Sequence, residues 1–399
     1  MASRLNMQFS RTHIPGRMEQ VQTPIIPIIA DLIAENPGTI SLGQGVVYYG
    51  PPAAAFERLQ ELNVSNEIHR YGHTGGLYEL REMIAGKLLA ENNINTDANG
   101  SKVIVTAGSN MAFLNALFAI TQPGDEIILF NPYYFNHEMA VRMLTCVPVF
   151  VPTDDQYQPD IEKLRSAITN KTRAVVTISP NNPSGAIYNR ELLSEINLLC
   201  AGNNIYHISD EAYEYFTWGD TEHFSPGSIP EASEHTISLF SLSKAYGFAS
   251  WRIGYMVIPE YLTEAIYKAQ DTNLICPAIP SQYAAMGALQ EGVAYCRGKL
   301  EMIREARSII LSHLDRIKTL ARISRSEGAF YLLIKLETDL DDLAVARQLI
   351  SKFRVAVLPG NTFGLHNGCY LRVAFGALDK NNALEGIQRL VNGLTTIIE

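Results

Sequence analysis

Charge is scarce in this sequence and nowhere concentrated. Only 18% of its 399 residues are charged, and 32 basic against 41 acidic side chains leave a net charge of -9 without any basic run. That balance argues against a nucleic-acid or anionic-membrane surface, so a small anion would need a local basic site. Cysteine is also sparse: Cys146, Cys200, Cys276, Cys296 and Cys369 are scattered without metal-like or disulfide-like spacing, which suits inert core thiols in a reducing compartment. Uncharged stretches such as Asn36 to Phe56, Val103 to Gly124 and Thr272 to Gln290 are interrupted by Gly, Pro, Asn or Ser, so none reads as a membrane span. The segment Met1 to Gln20 has no apolar core, so neither a secretory signal nor a transit peptide is expected and a cytoplasmic address follows. Repeats and low-complexity tracts are absent, and no G-x-G-x-x-G follows an early strand, which disfavours a nicotinamide dehydrogenase.

What is present is a chain with 47% apolar residues, enough to bury a sizeable core in one large and one small domain. Short β-branched runs at Lys102 to Thr106, Glu126 to Phe130, Val147 to Val151, Ala174 to Ile178 and Tyr206 to Ser209 alternate with amphipathic segments such as Asp160 to Ala167 and Glu191 to Ala201. With further strands at Thr236 to Leu239 and Ile253 to Ile258, that rhythm predicts an α/β fold with a mainly parallel, doubly covered sheet. After about residue 285 the pattern changes to a long charged helix over Lys299 to Ala321 and a strand over Phe330 to Lys335. A helix over Asp341 to Lys352, a strand over Tyr370 to Ala374 and a closing helix over Asn381 to Ile398 complete it. This part reads as a smaller α+β domain, and the apolar segment Ile25 to Ala34 is assigned to it.

Five pieces carry chemistry. Ser241-Leu242-Ser243-Lys244 is followed eight residues later by Arg252, a pattern suited to a cofactor bearing both an aldehyde and a phosphate. Lys244 would form the Schiff base, while Arg252 and the Ser241 hydroxyl take the phosphate. Asp210, at the end of an apolar strand, could pair with a protonated ring nitrogen; Glu211 is the competing carboxylate, and Asp210 is preferred. In Ser179-Pro180-Asn181-Asn182-Pro183-Ser184-Gly185 the Asn182 amide could hold a ring oxygen together with the Tyr213 phenol. Gly108-Ser109-Asn110 opens an apolar helix whose first N-H groups could cradle a phosphate. Arg372 sits in an otherwise apolar strand and suits an α-carboxylate, which a guanidinium grips through two parallel hydrogen bonds. Taken singly, each has an ordinary reading: a solvated lysine, a helix cap, a tight turn, an α/β loop, a structural ion pair.

Taken together, the order Gly45, Tyr71, Gly108, Tyr134, Asn182, Asp210, Tyr213, Lys244, Arg252, Arg372 resembles the class I and II aminotransferases of pyridoxal-phosphate (PLP) fold type I, over most of the chain. The resemblance implies a seven-stranded, mainly parallel large domain over residues 45–285 and a small α+β domain made of residues 1–44 and 286–399. It makes Lys244 the Schiff-base lysine and catalytic base, with Asp210 on the pyridine nitrogen and Asn182 and Tyr213 on the ring oxygen. Tyr134 matches the aromatic that stacks on the ring. Gly108, Ser109, Asn110, Ser241 and Arg252 would hold the phosphate, and Arg372 the substrate carboxylate, helped by the backbone of Gly45. Tyr71 matches a tyrosine that reaches the neighbouring subunit's cofactor, so a homodimer with shared active sites is implied, with no metal.

One departure is visible. Relatives commonly read Gly-x-Pro-Asp-Phe where this chain has Gly45-Val46-Val47-Tyr48-Tyr49-Gly50-Pro51-Pro52. Dicarboxylate-preferring relatives often supply a second Arg from the region matching Thr272 to Gln290, and no cation occurs there. A neutral or aromatic amino donor and a 2-oxo acid acceptor are therefore expected, in amino-acid biosynthesis. A carbon-sulfur β-lyase on the same scaffold and a catalytically idle PLP-binding protein are the competing readings.

Overall fold

The structure is a computed structural model and describes residues 16–64, 69–97 and 100–399. The expectation drawn from the first twenty residues falls largely outside them. Seven strands form one sheet in the order Ser101–Thr106, Gly254–Pro259, Thr236–Ser241, Tyr206–Asp210, Thr172–Ile178, Glu126–Asn131, Val147–Pro152. Only Gly254–Pro259 runs antiparallel to its neighbours; the remaining pairings are parallel. The inner strands are buried along nearly their whole length, as parallel strands covered on both faces must be, and their Val and Ile content fits that packing.

Helices cover the sheet. Ser109–Ile120 follows the first strand, Ile161–Ala167 is capped by the Asp160 carboxylate, and Arg190–Gly202 by the Asn189 side chain. Parallel register places Ile178 beside Asp210 and Asp210 beside Leu239. The carboxyl ends of three adjacent strands thus deliver the Ser179 loop, Asp210 and the turn into Lys244 to one edge, where such sheets gather ligands.

A second, four-stranded antiparallel sheet runs Leu358–Pro359, Cys369–Ala374, Tyr331–Leu336, Ala321–Ile323, packed with the helices Leu300–Leu314, Asp342–Phe353 and Lys380–Ile398. The helix expected to run to Ala321 stops earlier. It ends at Leu314, a short 3-10 turn covers Asp315–Ile317, and Ala321 pairs in a ladder with Leu336. Helical periodicity continues through Leu314 and Ile317, but strand pairing to a distant segment claims the backbone beyond them.

Helix Ile25–Glu35 packs against Ile350, Ala356, Leu358 and Phe363, as well as Phe135 beside the large sheet. Strand Ile40–Ser41 pairs in parallel with Val355–Ala356, which draws residues 42–45 across toward the sheet edge. Among the cysteines, Cys146, Cys200, Cys296 and Cys369 are buried; Cys276 departs from the expected core position, being half-buried with its sulfur accepting the Gly72 N-H. Among the described residues, no helix is long and apolar enough to cross a membrane.

Candidate active site

At the carboxyl edge of the large sheet lies a cavity of about 210 Å³ walled by Ser109, Asn110, Tyr134, Ile178, Asn182, Asp210, Ala212, Tyr213, Ser241, Ser243, Lys244 and Arg252. Nine of those twelve residues are site residues named from the sequence; Ile178, Ala212 and Ser243 are the additions. Lys244 belongs to the short helix Leu242–Ala245, whose first turn is fixed by the Ser241 hydroxyl accepting the Ser243 N-H at 3.1 Å. Its ammonium donates to the Gly45 carbonyl. Burial, then the charges of Arg372 and Arg252, push the Lys244 amine down to about 8, against an opposing effect of Asp210. An amine so placed is available as a nucleophile and base near neutral pH.

Asp210 is 4% exposed and faces the cavity. One carboxylate oxygen accepts the Ala212 N-H at 3.1 Å, and the other lies 3.1 Å from His137 Nε2. His137 itself stacks on Phe113 with ring centroids 4.0 Å apart. Glu211 is occupied elsewhere, receiving the Ser225 hydroxyl and His223 Nε2 outside the cavity wall. Tyr134, which caps the helix Phe135–Met143, has its phenol held by Asn136 Nδ2 at 2.8 Å and Asn110 Oδ1 at 3.5 Å.

One end of the cavity is cationic. Gly108 has φ +81°, and a Cβ there would lie 2.4 Å from Arg252 Nη2, so only glycine lets the guanidinium approach the start of helix Ser109–Ile120. The combination of a guanidinium, serine hydroxyls and a helix N-terminus is a phosphate-sized anion site.

At the other end Arg372 is 2% exposed. It donates through Nη1 to Asn182 Oδ1 at 2.9 Å and through Nη2 to the Gly43 carbonyl at 2.7 Å, while its guanidinium lies 4.4 Å from the Tyr331 ring centroid. Among the described residues Arg372 Nε, though buried, has no acceptor. A buried charged donor without a partner is costly, and an incoming carboxylate would satisfy it. Asn182 Nδ2 in turn donates to the Tyr213 hydroxyl at 3.4 Å.

The Gly45 carbonyl receives Lys244, and the Gly43 carbonyl receives Arg372. Tyr71 stands apart, 79% exposed and outside the cavity wall. The atypical Val46 to Pro52 segment reaches the site through Tyr49, whose hydroxyl donates to the Lys244 and Ala245 carbonyls, each at 3.1 Å. Sequence reasoning missed His137, Tyr331 and Tyr49. His137 lies one helical turn beyond Tyr134, so i, i+3 spacing could have marked it. Nothing local distinguishes Tyr331 or Tyr49 from ordinary core tyrosines.

The sequence matches the family "Aminotransferase class I and II" over residues 37–390. It is 34% identical to the aromatic aminotransferase ISS1 of Arabidopsis thaliana, covering 94% of each chain. It is 33% identical to a probable aspartate/prephenate aminotransferase of Aquifex aeolicus, covering 82% of this chain and 84% of that one. Among solved structures, the aromatic aminotransferase from Pyrococcus horikoshii superposes with a TM-score of 0.84 at 30% identity, covering 93% of this chain and 99% of the other.

Proposed function

The chain belongs to the class I and II aminotransferases, PLP-dependent transaminases that move amino groups between amino acids and 2-oxo acids, and from that premise we propose that Lys244 is the residue joined to the cofactor and the base of the reaction. The observation that carries this reading is the placement of the Lys244 amine, lowered to about 8, in a cavity with a carboxylate on one wall and a guanidinium near each end, that of Arg372 buried and that of Arg252 exposed. When bound, PLP supplies an aldehyde for the amine and a protonated ring that withdraws electrons from the substrate α-carbon.

The roles of the remaining side chains follow from their geometry. Asp210, held by the Ala212 N-H and His137, would direct its charge at the ring nitrogen and favour its protonated form. Asn182 and Tyr213, joined to each other and lining the cavity, would hold the ring oxygen, and Tyr134 would cover the ring. Ser109, Asn110, Ser241 and Arg252, with the backbone at Gly108, hold the phosphate. Arg372 takes the α-carboxylate through its free Nε and the outer edge of its guanidinium. With a phosphate and an α-carboxylate held at the two ends, the Lys244 amine would lie within the cavity to take and return the substrate's α-proton, and misplacement by about 1 Å would cost roughly a hundredfold in rate.

Lys244, Arg252 and Arg372 are the cations that act on this cavity among the described residues, and the helix Ile279–Gly298 has no cation before Arg297. A neutral or aromatic amino donor fits that wall better than a dicarboxylate. The exposed Tyr71 is proposed to complete the partner subunit's site in a homodimer, and the enzyme to act in the cytoplasm in amino-acid biosynthesis. Borohydride reduction of the cofactor-loaded enzyme followed by peptide mapping tests the central claim. The pyridoxyl label is expected on Lys244, and a label on another lysine would overturn the assignment.

A further inference from the structure

Tyr331 opens the strand Tyr331–Leu336 of the second sheet and is 1% exposed, yet its hydroxyl reaches the wall of the cavity and lies 2.9 Å from the Tyr213 hydroxyl. Two features fix it there. The Arg372 guanidinium lies 4.4 Å from the centre of its ring, and a Cβ on residue 45 would come within 2.5 Å of the hydroxyl, so Gly45 leaves the room it needs.

A phenol has one proton to give and accepts through its oxygen. The Tyr213 oxygen already receives Asn182 Nδ2 at 3.4 Å, so the direction of the Tyr331 bond decides what Tyr213 can do with its own proton. If Tyr331 donates, the Tyr213 proton is left pointing into the cavity; if Tyr331 accepts, that proton is consumed. The neighbourhood favours donation. Burial raises both phenols and the Arg372 charge lowers both, but that guanidinium lies 4.4 Å from the centre of the Tyr331 ring and acts more strongly there, making Tyr331 the stronger acid and better donor.

We propose that Tyr331 is a positioning residue that donates its hydroxyl proton to Tyr213, thereby aiming the Tyr213 hydroxyl at the cofactor's ring oxygen and setting the pH at which the Lys244-cofactor linkage loses its proton. The inference rests on the cofactor being joined to Lys244. A ring oxygen that receives a polarised donor holds its negative charge more easily, so the adjacent linkage nitrogen gives up its proton at lower pH. Chained hydrogen bonds strengthen one another by about 10–30% per bond.

The test is a spectrophotometric pH titration of the cofactor-loaded enzyme without substrate, comparing the parent with Tyr331→Phe, which keeps the ring and its stack with Arg372. The midpoint of the visible absorbance change is expected to move up by about 0.2 to 0.6 pH unit. In a Tyr213→Phe background the same substitution should move it no further, because the bond acts only through Tyr213. Coincident midpoints in the single variant and the parent would reduce Tyr331 to a packing residue, and a downward shift would mean that Tyr213 donates instead; either overturns the inference. A visible band that survives Lys244→Ala would instead sink the underlying assignment of the cofactor.

Discussion

Replacing Arg372 by Ala tests most directly how the site distinguishes an amino acid from a simple amine. The guanidinium is locked by Asn182 Oδ1 at 2.9 Å, the Gly43 carbonyl at 2.7 Å and the Tyr331 ring beneath it, and its buried Nε awaits an acceptor. A carboxylate docked there would gain charge-assisted, nearly parallel hydrogen bonds away from water, and their loss should cost about 3 to 4 kcal/mol of transition-state binding. At about 1.4 kcal/mol per factor of ten, kcat/KM for an amino donor should fall roughly 100- to 1,000-fold. Arg372→Lys keeps the charge but loses the planar fork, so an intermediate loss of about 10- to 100-fold is expected. The assay compares phenylalanine with 2-phenylethylamine, the same donor without its carboxylate, in single-turnover reactions followed by the visible spectrum. The loss should be confined to phenylalanine. If both donors slowed equally, or phenylalanine slowed less than about fivefold, Arg372 would not be the carboxylate anchor.

Further outcomes follow from the same geometry. In cofactor-free enzyme, labelling of Lys244 by an amine reagent should rise with pH around a midpoint of about 8, since the neutral amine reacts; Arg372→Ala removes a lowering charge and should move that midpoint up, and peptide mass mapping reads both. The sign for stability is the same: the folded amine is deprotonated between about 8 and the unfolded value of 10.5, so the apoprotein should gain stability as pH rises through that window, measured by urea melts. Gly108→Ala places a methyl at φ +81° and 2.4 Å from Arg252 Nη2; strain of about 1 to 2 kcal/mol and a displaced guanidinium should weaken PLP affinity roughly tenfold or more, seen in cofactor titrations. Mixing inactive Lys244→Ala and Tyr71→Ala subunits should restore about a quarter of parental activity if sites are shared across a homodimer, because half the dimers would be mixed and each would hold one intact site. No recovery after verified subunit exchange would refute that sharing.

Local patterns in the chain were enough for most of the architecture. β-Branched runs followed by amphipathic segments located all seven strands of the large sheet to within about two residues, because burial on both faces demands continuous apolar runs. The end of the helix after Lys299 was not legible, since Ala321 is drawn into a ladder by Leu336, fifteen residues away, against its local periodicity. The same contrast holds in the site. Lys244, Asp210, Asn182 and Tyr213 each end or closely follow an apolar strand, ordinary singly but pointing together to one edge, and they do meet around one cavity.

What the sequence determined by itself, then, was a set of side chains whose chemistry fits an aldehyde, a phosphate and a carboxylate, spaced so that a parallel sheet would bring them to one edge. What only the tertiary structure decided was their partners. That Glu211 bonds His223 and Ser225 while Asp210 faces the cavity, that the Gly43 carbonyl receives Arg372, and that Tyr331 crosses from the second sheet to Tyr213 all depend on contacts between separate segments. Such contacts leave no periodic trace, because a hydrogen bond across a hundred residues is fixed by where whole elements pack and not by the residues next to it in the chain.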